Sequence, residues 1–503
     1  MQNSKYYLKR EKQRKLNKFK EYSTSNFALG ASFSVFLIIF LNYLSSSGTE
    51  ANKALMAISL IYLIGGIIQC YISLRIKKDI LNLNDISDST RRLGYILIPL
   101  VFTANIFNVI SGLILIKKEK GIEYILSIYM TLVSLSIMFI SILNLFKDYV
   151  SNTYNIGMTI LFLITIFYLI TMMMIHKYVN GKKVDKKLKY IAVILILTSV
   201  TGNIFALILG MIILRKLRNK DDEISIEWID ILRRLFRNNM AIVGLLFITF
   251  LLSVSICSYL TFDYSIAIDN DYSKILLSPS LQYPFGTDDF GRCVFTRIIF
   301  GARISLIVGL ISTIVPIVIG GALGAISGYY GKKADNIIMR SLDILYAVPG
   351  ILLAIAIVAA FGANTFNLIM ALSIGGIPGY ARTVRATVLS ISSSEFVEAA
   401  KACGAKDYTI IFKHIIPNSL APIIVRATLA IGGAVLSTSS LSYLGLGVEP
   451  HIPEWGNILK VGSNYLETNP YLAIYPGLAI IAIVLAFNFF GDGVRDALDP
   501  KLK

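Results

Sequence analysis

The sequence predicts an all-α, polytopic membrane protein of about twelve transmembrane helices, six in each half. Three observations carry this. Of 503 residues, 55% are hydrophobic and 16% charged, with a mean hydropathy of +0.67; a soluble chain carries about 25% charged residues. Apolar runs long enough to cross a bilayer as helices recur along the whole length. These runs also lack the alternation of barrel strands, which are only about ten residues long.

Taken in order, the first half has apolar runs near 28–46, 54–74, 93–116, 124–146, 154–175 and 191–214. The first 27 residues are basic and polar without an apolar core, unlike a cleaved signal peptide. An internal repeat is visible. Asn105-Ile106-Phe107 with Gly112 and Lys117-Lys118 matches Asn203-Ile204-Phe205 with Gly210 and Arg215-Lys216, 98 residues on. The same offset carries the first run onto the fourth and the second onto the fifth, which suggests a duplicated three-span unit within residues 1–220. If all six runs span, the two copies are inverted. Chance similarity between apolar helices is the other reading.

Basic residues set orientation. Lys5, Lys9, Arg10, Lys12, Arg14, Lys15, Lys18 and Lys20 put the N-terminus in the cytoplasm, with Arg75, Lys77, Lys78, Arg91 and Arg92, and Arg215, Lys216, Arg218 and Lys220 on the same side. Both termini are expected to be cytoplasmic. The loop with Lys177, Lys182, Lys183, Lys186, Lys187 and Lys189 contradicts this, because it follows the fifth crossing and so would lie outside.

Residues 221–240 link the halves. After Asp221-Asp222-Glu223, Trp228, Ile231, Leu232 and Leu235 share one helical face, away from Arg233, Arg234 and Arg237. This fits a helix lying in the membrane interface, or a water-facing linker helix. The second half, 241–503, has runs near 241–260, 304–327, 336–360, 365–381, 419–445 and 471–490.

The net charge of +17 lies mostly in loops beside the runs, so it reads as orientation and not as nucleic-acid binding. Cys70, Cys257, Cys293 and Cys403 form no CxxC pair, and His176, His414 and His451 are far apart. Neither a metal site nor a disulfide framework is implied. No GxxxxGK[ST] string occurs, so no P-loop is expected here.

Between the last two pairs of runs lies a polar, small-residue insert at 392–417. Ser392 and Glu395 have capping-box spacing. Gly404 suits the left-handed end of a helix. Asp407 suits the N-cap of a second helix over 408–416, and Pro417 stops it or marks entry to the next span. Ala399, Ala400 and Ala402 keep the first helix slim, and Glu398 offers a charge to a basic partner. This reads as a docking element; an ordinary cytoplasmic helical hairpin fits the same spacing.

Glu398-Ala399-Ala400 followed by Gly404 and His414-Ile415-Ile416-Pro417 resembles the ATPase-coupling loop of bacterial binding-protein-dependent ABC importers. Tyr283-Pro284-Phe285-Gly286-Thr287-Asp288-Asp289-Phe290-Gly291-Arg292 resembles a signature of the C-type permease subunit of oligopeptide and dipeptide importers. So do Gly301-Ala302-Arg303-Ile304-Ser305-Leu306, Leu441-Ser442-Tyr443-Leu444-Gly445-Leu446-Gly447, Pro453-Glu454-Trp455-Gly456-Asn457 and the string from Gly491 to Pro500. The resemblance covers about residues 232–503. Residues 1–220 match no pattern of that family. Thr438 stands where many relatives carry a Glu, so a carboxylate role is not carried over.

The resemblance implies a type I importer permease core in the bacterial plasma membrane, with alternating access as its mechanism. It implies a second homologous permease, two cytoplasmic ATP-binding subunits that hold ATP and Mg, and an extracytoplasmic substrate-binding protein. The chain itself would carry no cofactor, no metal and no catalytic residue. Coupling would run through Glu398, Ala399, Ala400, Gly404, Asp407, His414 and Pro417. The substrate would be a peptide, or nickel or another small solute in related permeases. A self-sufficient secondary transporter is the rival class, favoured slightly by twelve spans and disfavoured by the docking pattern.

Further candidates are charges and outer-loop residues. Arg426 lies inside a run, where it faces a cavity, a partner span or a peptide carboxylate, or snorkels to the interface. Arg340 and Asp343, three residues apart, are expected to pair. Arg382 and Arg385 read as orientation anchors. Asp288, Asp289 and Arg292 lie in a turn-rich outward loop that would touch the binding protein or cover the outer mouth. His414 reads as a local cap for the Pro417 and Asn418 carbonyls, and Trp455 as an interfacial anchor.

Overall fold

The computed structural model describes residues 15–16, 19–45, 50–103, 105–118, 121–147, 150–180, 183–218, 226–280 and 282–499. Hydrocarbon offers no partner to a free backbone amide, so chains that cross it are helical or closed barrels. The described residues are overwhelmingly helical; the one sheet pairs β1 (Val179–Asn180) with β2 (Lys183–Val184). Contacts divide the chain into two compact units, Met1–Phe139 with Thr159–Ser225, and Ile140–Met158 with Ile226–Lys503.

The first unit holds α1 (Lys20–Ser45), α2 (Glu50–Leu83), α3 (Ile106–Ile116), most of α4 (Ile122–Ile142) and α5 (Tyr154–Tyr178), then α6 (Leu188–Thr198) and α7 (Ile204–Arg218). A 3-10 helix at Leu93–Thr103 precedes α3. The third apolar run folds back on itself. A Cβ on Gly94 would lie 2.6 Å from the Gly112 carbonyl oxygen, whereas residues so far apart in one straight helix would be separated by about 27 Å. The sixth run folds the same way: a Cβ on Gly210 would lie 2.8 Å from the Ala192 carbonyl. Each is therefore an antiparallel hairpin, not one span. Both turn at an asparagine whose side chain caps the second limb, Asn105 accepting from the Asn108 N–H and Asn203 from the Ala206 N–H.

The hairpins make matching contacts. Phe107 packs on Phe27 of α1, and Phe205 on Tyr129 of α4, at ring separations of 5.6 and 5.5 Å. Arg91, at the start of the first hairpin, donates to the Leu115 and Lys117 carbonyls at its end and pairs with Glu21. In the second, Lys216 pairs with Glu123.

The second unit holds α8 (Ile226–Leu235), α9 (Asn239–Thr261), α10 (Val294–Tyr330), α11 (Lys332–Ala347), α12 (Gly350–Phe361), α13 (Thr365–Ser392), α14 (Glu395–Ala402), α15 (Ile416–Tyr443), α16 (Trp455–Ser463) and α17 (Tyr471–Leu498). Ile231 and Leu235 of α8 pack against Ala241, Phe490, Val494 and Ala497. The Trp228 side chain and Asp221–Glu223 lie outside the described residues. The main packing seam joins α10 to α13. A Cβ on Gly320 would lie 2.5 Å from the Ile377 carbonyl, and one on Gly328 would lie 2.9 Å from that of Arg385; at Gly324 the Ala381 carbonyl is closer still. Spacing of four puts these glycines on one helical face, and their missing side chains let two backbones touch.

Among the described residues, eight helices are long and apolar enough to cross a membrane, or nine if the α11–α12 pair, bent by 81°, is one span. The expected arrangement of twelve single spans, six and six, is thus replaced by a polytopic all-α protein with eight to nine such helices. Two of the twelve runs are hairpins, and α13 combines 28 residues with Arg382 and Arg385. The premise for inverted copies, that all six early runs span, fails with them.

Substituting Gly324→Leu is expected to lower stability by roughly 1–3 kcal/mol or more, because the added side chain has no room. Gly433→Leu, where nothing lies within 4 Å of the added Cβ, serves as the control. Thermal unfolding of the two variants in detergent measures the difference; equal melting temperatures would contradict the seam.

Candidate functional site

The insert at 392–417 is a helical hairpin held on the ends of α10, α13 and α15. Ser392 is the last residue of α13, and its hydroxyl donates to the Leu389 carbonyl. The capping box expected from Ser392 and Glu395 is not made; extended Ser394 precedes α14. That helix ends as its glycine predicts. Gly404 takes φ +76°, and the N–H groups of Ala405 and Gly404 reach the Ala400 and Lys401 carbonyls, which satisfies two carbonyls that the helix end would otherwise leave open.

The second limb differs from expectation. Lys406, not Asp407, is the N-cap. The Asp407 carboxylate instead accepts the Tyr329 hydroxyl at 2.8 Å, tying the limb to the end of α10. After one α-turn the chain forms a π-helix over Ile410–Ile415, then runs into α15 with Pro417 in its first turn. Pro417 therefore does not stop the limb. The limb and α15 form one continuous helix, Asp407–Tyr443, and the wide turn sits where Pro417 withholds its N–H from the ladder. The His414 cap runs the other way: Asn418 Nδ2 donates to the His414 carbonyl at 2.6 Å.

One face of the hairpin is buried. Val397, Ile410, Ile411 and Ile415 pack with Ala325, Val384, Val388 and Ile423. The other face presents Glu398, Ala399 and Gly404, with Ala400 half-buried at its edge. It also exposes three aromatic rings that the sequence reading missed, Phe396, Tyr408 at 63% and Phe412 at 62%. Aromatics four apart in a polar insert were the available signal.

Charges beside the hairpin form ties between helices. Asp343 pairs with Arg382 at 2.5 Å, not with Arg340, which donates to Asn336. Asp335 accepts from Arg385 and from Ser327. Arg382 and Arg385 are thus the cations that fasten α11 to α13, beyond any role in orientation. Arg426 faces a partner span, donating to Thr383 and lying 5.1 Å from the Tyr380 ring.

At the other end of α10, the 283–292 loop is built on a buried carboxylate. Asp288 accepts the N–H groups of Phe290 and Arg292 and pairs with Arg292 at 2.8 Å and Arg297 at 3.6 Å. The acidic patch reading therefore loses Asp288. Asp289 is half-buried, and burial, with Asp288 beside it, raises its pKa. Trp455 is fully buried, its indole N–H donating to the Ile298 carbonyl. It is a core residue, not an interfacial anchor. The preceding Glu454 was also missed. Its carboxylate is buried, caps α16 through the Gly456 and Asn457 N–H groups, and accepts from Ser439. Burial pushes its pKa up. Thr438, one residue before Ser439, bonds only its own helix at Ala434.

Comparison with known proteins bears on the same stretch. Residues 320–503 match the binding-protein-dependent transport system inner membrane component, and residues 227–279 the N-terminal TM domain of oligopeptide transport permease C. The dipeptide transport system permease protein DppC of Alkalihalophilus pseudofirmus is 46% identical over 276 residues, 55% of this chain and 90% of that protein. The chain belongs to this permease family. The glutathione transport system permease protein GsiD of Pectobacterium atrosepticum is 42% identical over 56% of this chain and 94% of its own length, and that of Escherichia coli O157:H7 is 43% identical over the same shares. The permease is a multi-pass bacterial membrane protein and the transport subunit of an ABC-type importer. As in its family, ATP hydrolysis belongs to other subunits, and ATP and Mg are held there.

Glu454 sets a pH test. A raised pKa means that its contribution is fully present below the ordinary carboxylate value and is lost as pH rises through the raised one. Glu454→Gln keeps the acceptor and removes the charge. It is expected to melt at or above the native temperature at pH 8, with the gap shrinking towards pH 5. Glu454→Ala is expected to cost about 1–3 kcal/mol by leaving buried donors unpaired. Thermal melts at both pH values check the pair.

Proposed function

We propose that the permease forms half of a peptide import pathway and is driven by a cytoplasmic ATPase that grips the 392–417 hairpin. A second homologous permease completes the pathway, two ATP-binding subunits drive it, and an extracytoplasmic binding protein delivers the peptide. The observation that carries the coupling role is the two-faced hairpin. Its aliphatic face is packed on α10, α13 and α15, while three aromatic rings and a slim alanine face stay uncovered. Exposed aromatics over a rigid support are what a protein interface uses as anchors. The peptide substrate rests on the relatives' transport of dipeptides and glutathione.

The hairpins at 93–116 and 188–218 support a reading in which the orientation conflict does not arise. A hairpin returns to the side it entered from, so each half of the N-terminal region crosses twice and then folds back. The basic loops near 75–92, 117–118, 177–189 and 215–218 then all lie in the cytoplasm, as the positive-inside rule requires. On this reading, with α13 counted, the described residues would cross ten times and both ends of the chain would lie in the cytoplasm. The matched asparagine turns and Phe107 and Phe205 contacts support a duplication whose copies share one orientation.

Tyr408→Ala and Phe412→Ala are each expected to weaken ATPase co-purification about tenfold, and Glu398→Arg to uncouple ATP-dependent uptake in vesicles, with membrane insertion unchanged. Normal ATPase retention and uptake in the double alanine variant would sink the coupling role. For topology, impermeant thiol reagents on whole cells should label Asn152→Cys directly and Lys186→Cys only after permeabilisation. Labelling of Lys186→Cys from outside would restore the six-crossing reading.

A further inference from the structure

Residues 140–158, the tip between α4 and α5, belong to the second unit, although the helices they join lie mostly in the first. The family match begins only at residue 227, so this tip is contributed by sequence outside it. The tip meets the C-terminal end of α9 and the start of α10, at the far end of α10 from Tyr329 and the coupling hairpin.

Its contacts are those of a helix cap. The last carbonyls of any α-helix have no partner within that helix. Asn144 Nδ2 donates to the Thr261 carbonyl at 2.7 Å, and Thr153 Oγ1 donates to that of Leu260 at 3.2 Å. Both acceptors are in the final turn of α9. Lys147 lies against Phe262, the residue that closes α9. Its amine donates to Thr296 Oγ1 at 2.5 Å and lies 5.6 Å from the Phe262 ring centroid. Gly157 allows the approach: a Cβ there would lie 2.9 Å from the Leu260 carbonyl oxygen. The tip is braced internally by the Tyr154 hydroxyl, which donates to the Ser141 carbonyl.

We infer that residues 140–158 are a clasp, a C-cap supplied to α9 from elsewhere in the chain, that fastens the N-terminal membrane region to the importer core as a permanent part. Its partner surface is the α9 end and Thr296 of this same chain. Burying Lys147 costs its hydration, and burial lowers its pKa; a transient contact would not repay that cost, whereas a permanent one with a hydroxyl and a ring does.

The test uses the full chain with a protease site placed within 219–225 and an affinity tag at the C-terminus. After cleavage in detergent, the N-terminal fragment is expected to co-purify with the core. In Asn144→Ala/Lys147→Ala/Gly157→Leu its retention should fall at least tenfold. Loss of the fragment from the native sequence, or its full retention in the triple variant, overturns the clasp. If the triple variant misfolds, Asn144→Cys with Thr261→Cys decides: oxidation should link the two cleaved fragments through that pair, identified by peptide mapping, and absence of the link rejects the proposal.

Discussion

The importer core depends on how closely α10 can approach α13. Gly320, Gly324 and Gly328 present bare backbone to the carbonyls of Ile377, Ala381 and Arg385. In a bilayer, lipid competes with apolar side chains on nearly equal terms, so helix association rests on close packing and polar contacts between backbones. Three glycines in register supply that contact over two turns. The same approach sets the spacing at which Arg385 meets Asp335 and Arg382 meets Asp343, and so fixes the tilt of α11 against the pair.

The 392–417 hairpin inherits this geometry. Its aliphatic face rests on Ala325, Val384 and Val388, residues of α10 and α13 interleaved with the glycine seam. Tyr329, one residue beyond the last glycine, reaches Asp407. Force applied to the exposed rings of Tyr408 and Phe412 would thus arrive at two tightly joined helices together. A looser seam would let one helix yield alone, and coupling needs elements that switch between discrete arrangements.

Much of this was legible in the sequence and some was not. Every long apolar run is helical, and Gly404 ends its helix as its residue type predicts. The folded-back hairpins were hidden because their composition matches that of a span; the only mark was a Thr-x-Asn break, at 103–105 and 201–203, within each run. Trp455 was misplaced because its interfacial preference is statistical, whereas its burial follows from Gly301 and a single carbonyl at Ile298. Asp288 read as part of an acidic patch, and Glu454 drew no reading, because their backbone partners are not visible in the sequence. The pairing of Asp343 with Arg382 lay beyond local spacing, since the partner is 39 residues away.

The π-helix at Ile410–Ile415 gives the hairpin a stored phase. Each π-turn holds about one residue more than an α-turn. If that stretch tightened to α geometry, everything ahead of it would rotate by about 100° and shift by about 1.5 Å relative to α15. Tyr408 lies ahead of the π segment, and Pro417 begins the helix behind it. The wide turn therefore lies between the exposed aromatic surface and a membrane helix, where a change of one hydrogen-bond register would turn one against the other without breaking the rod.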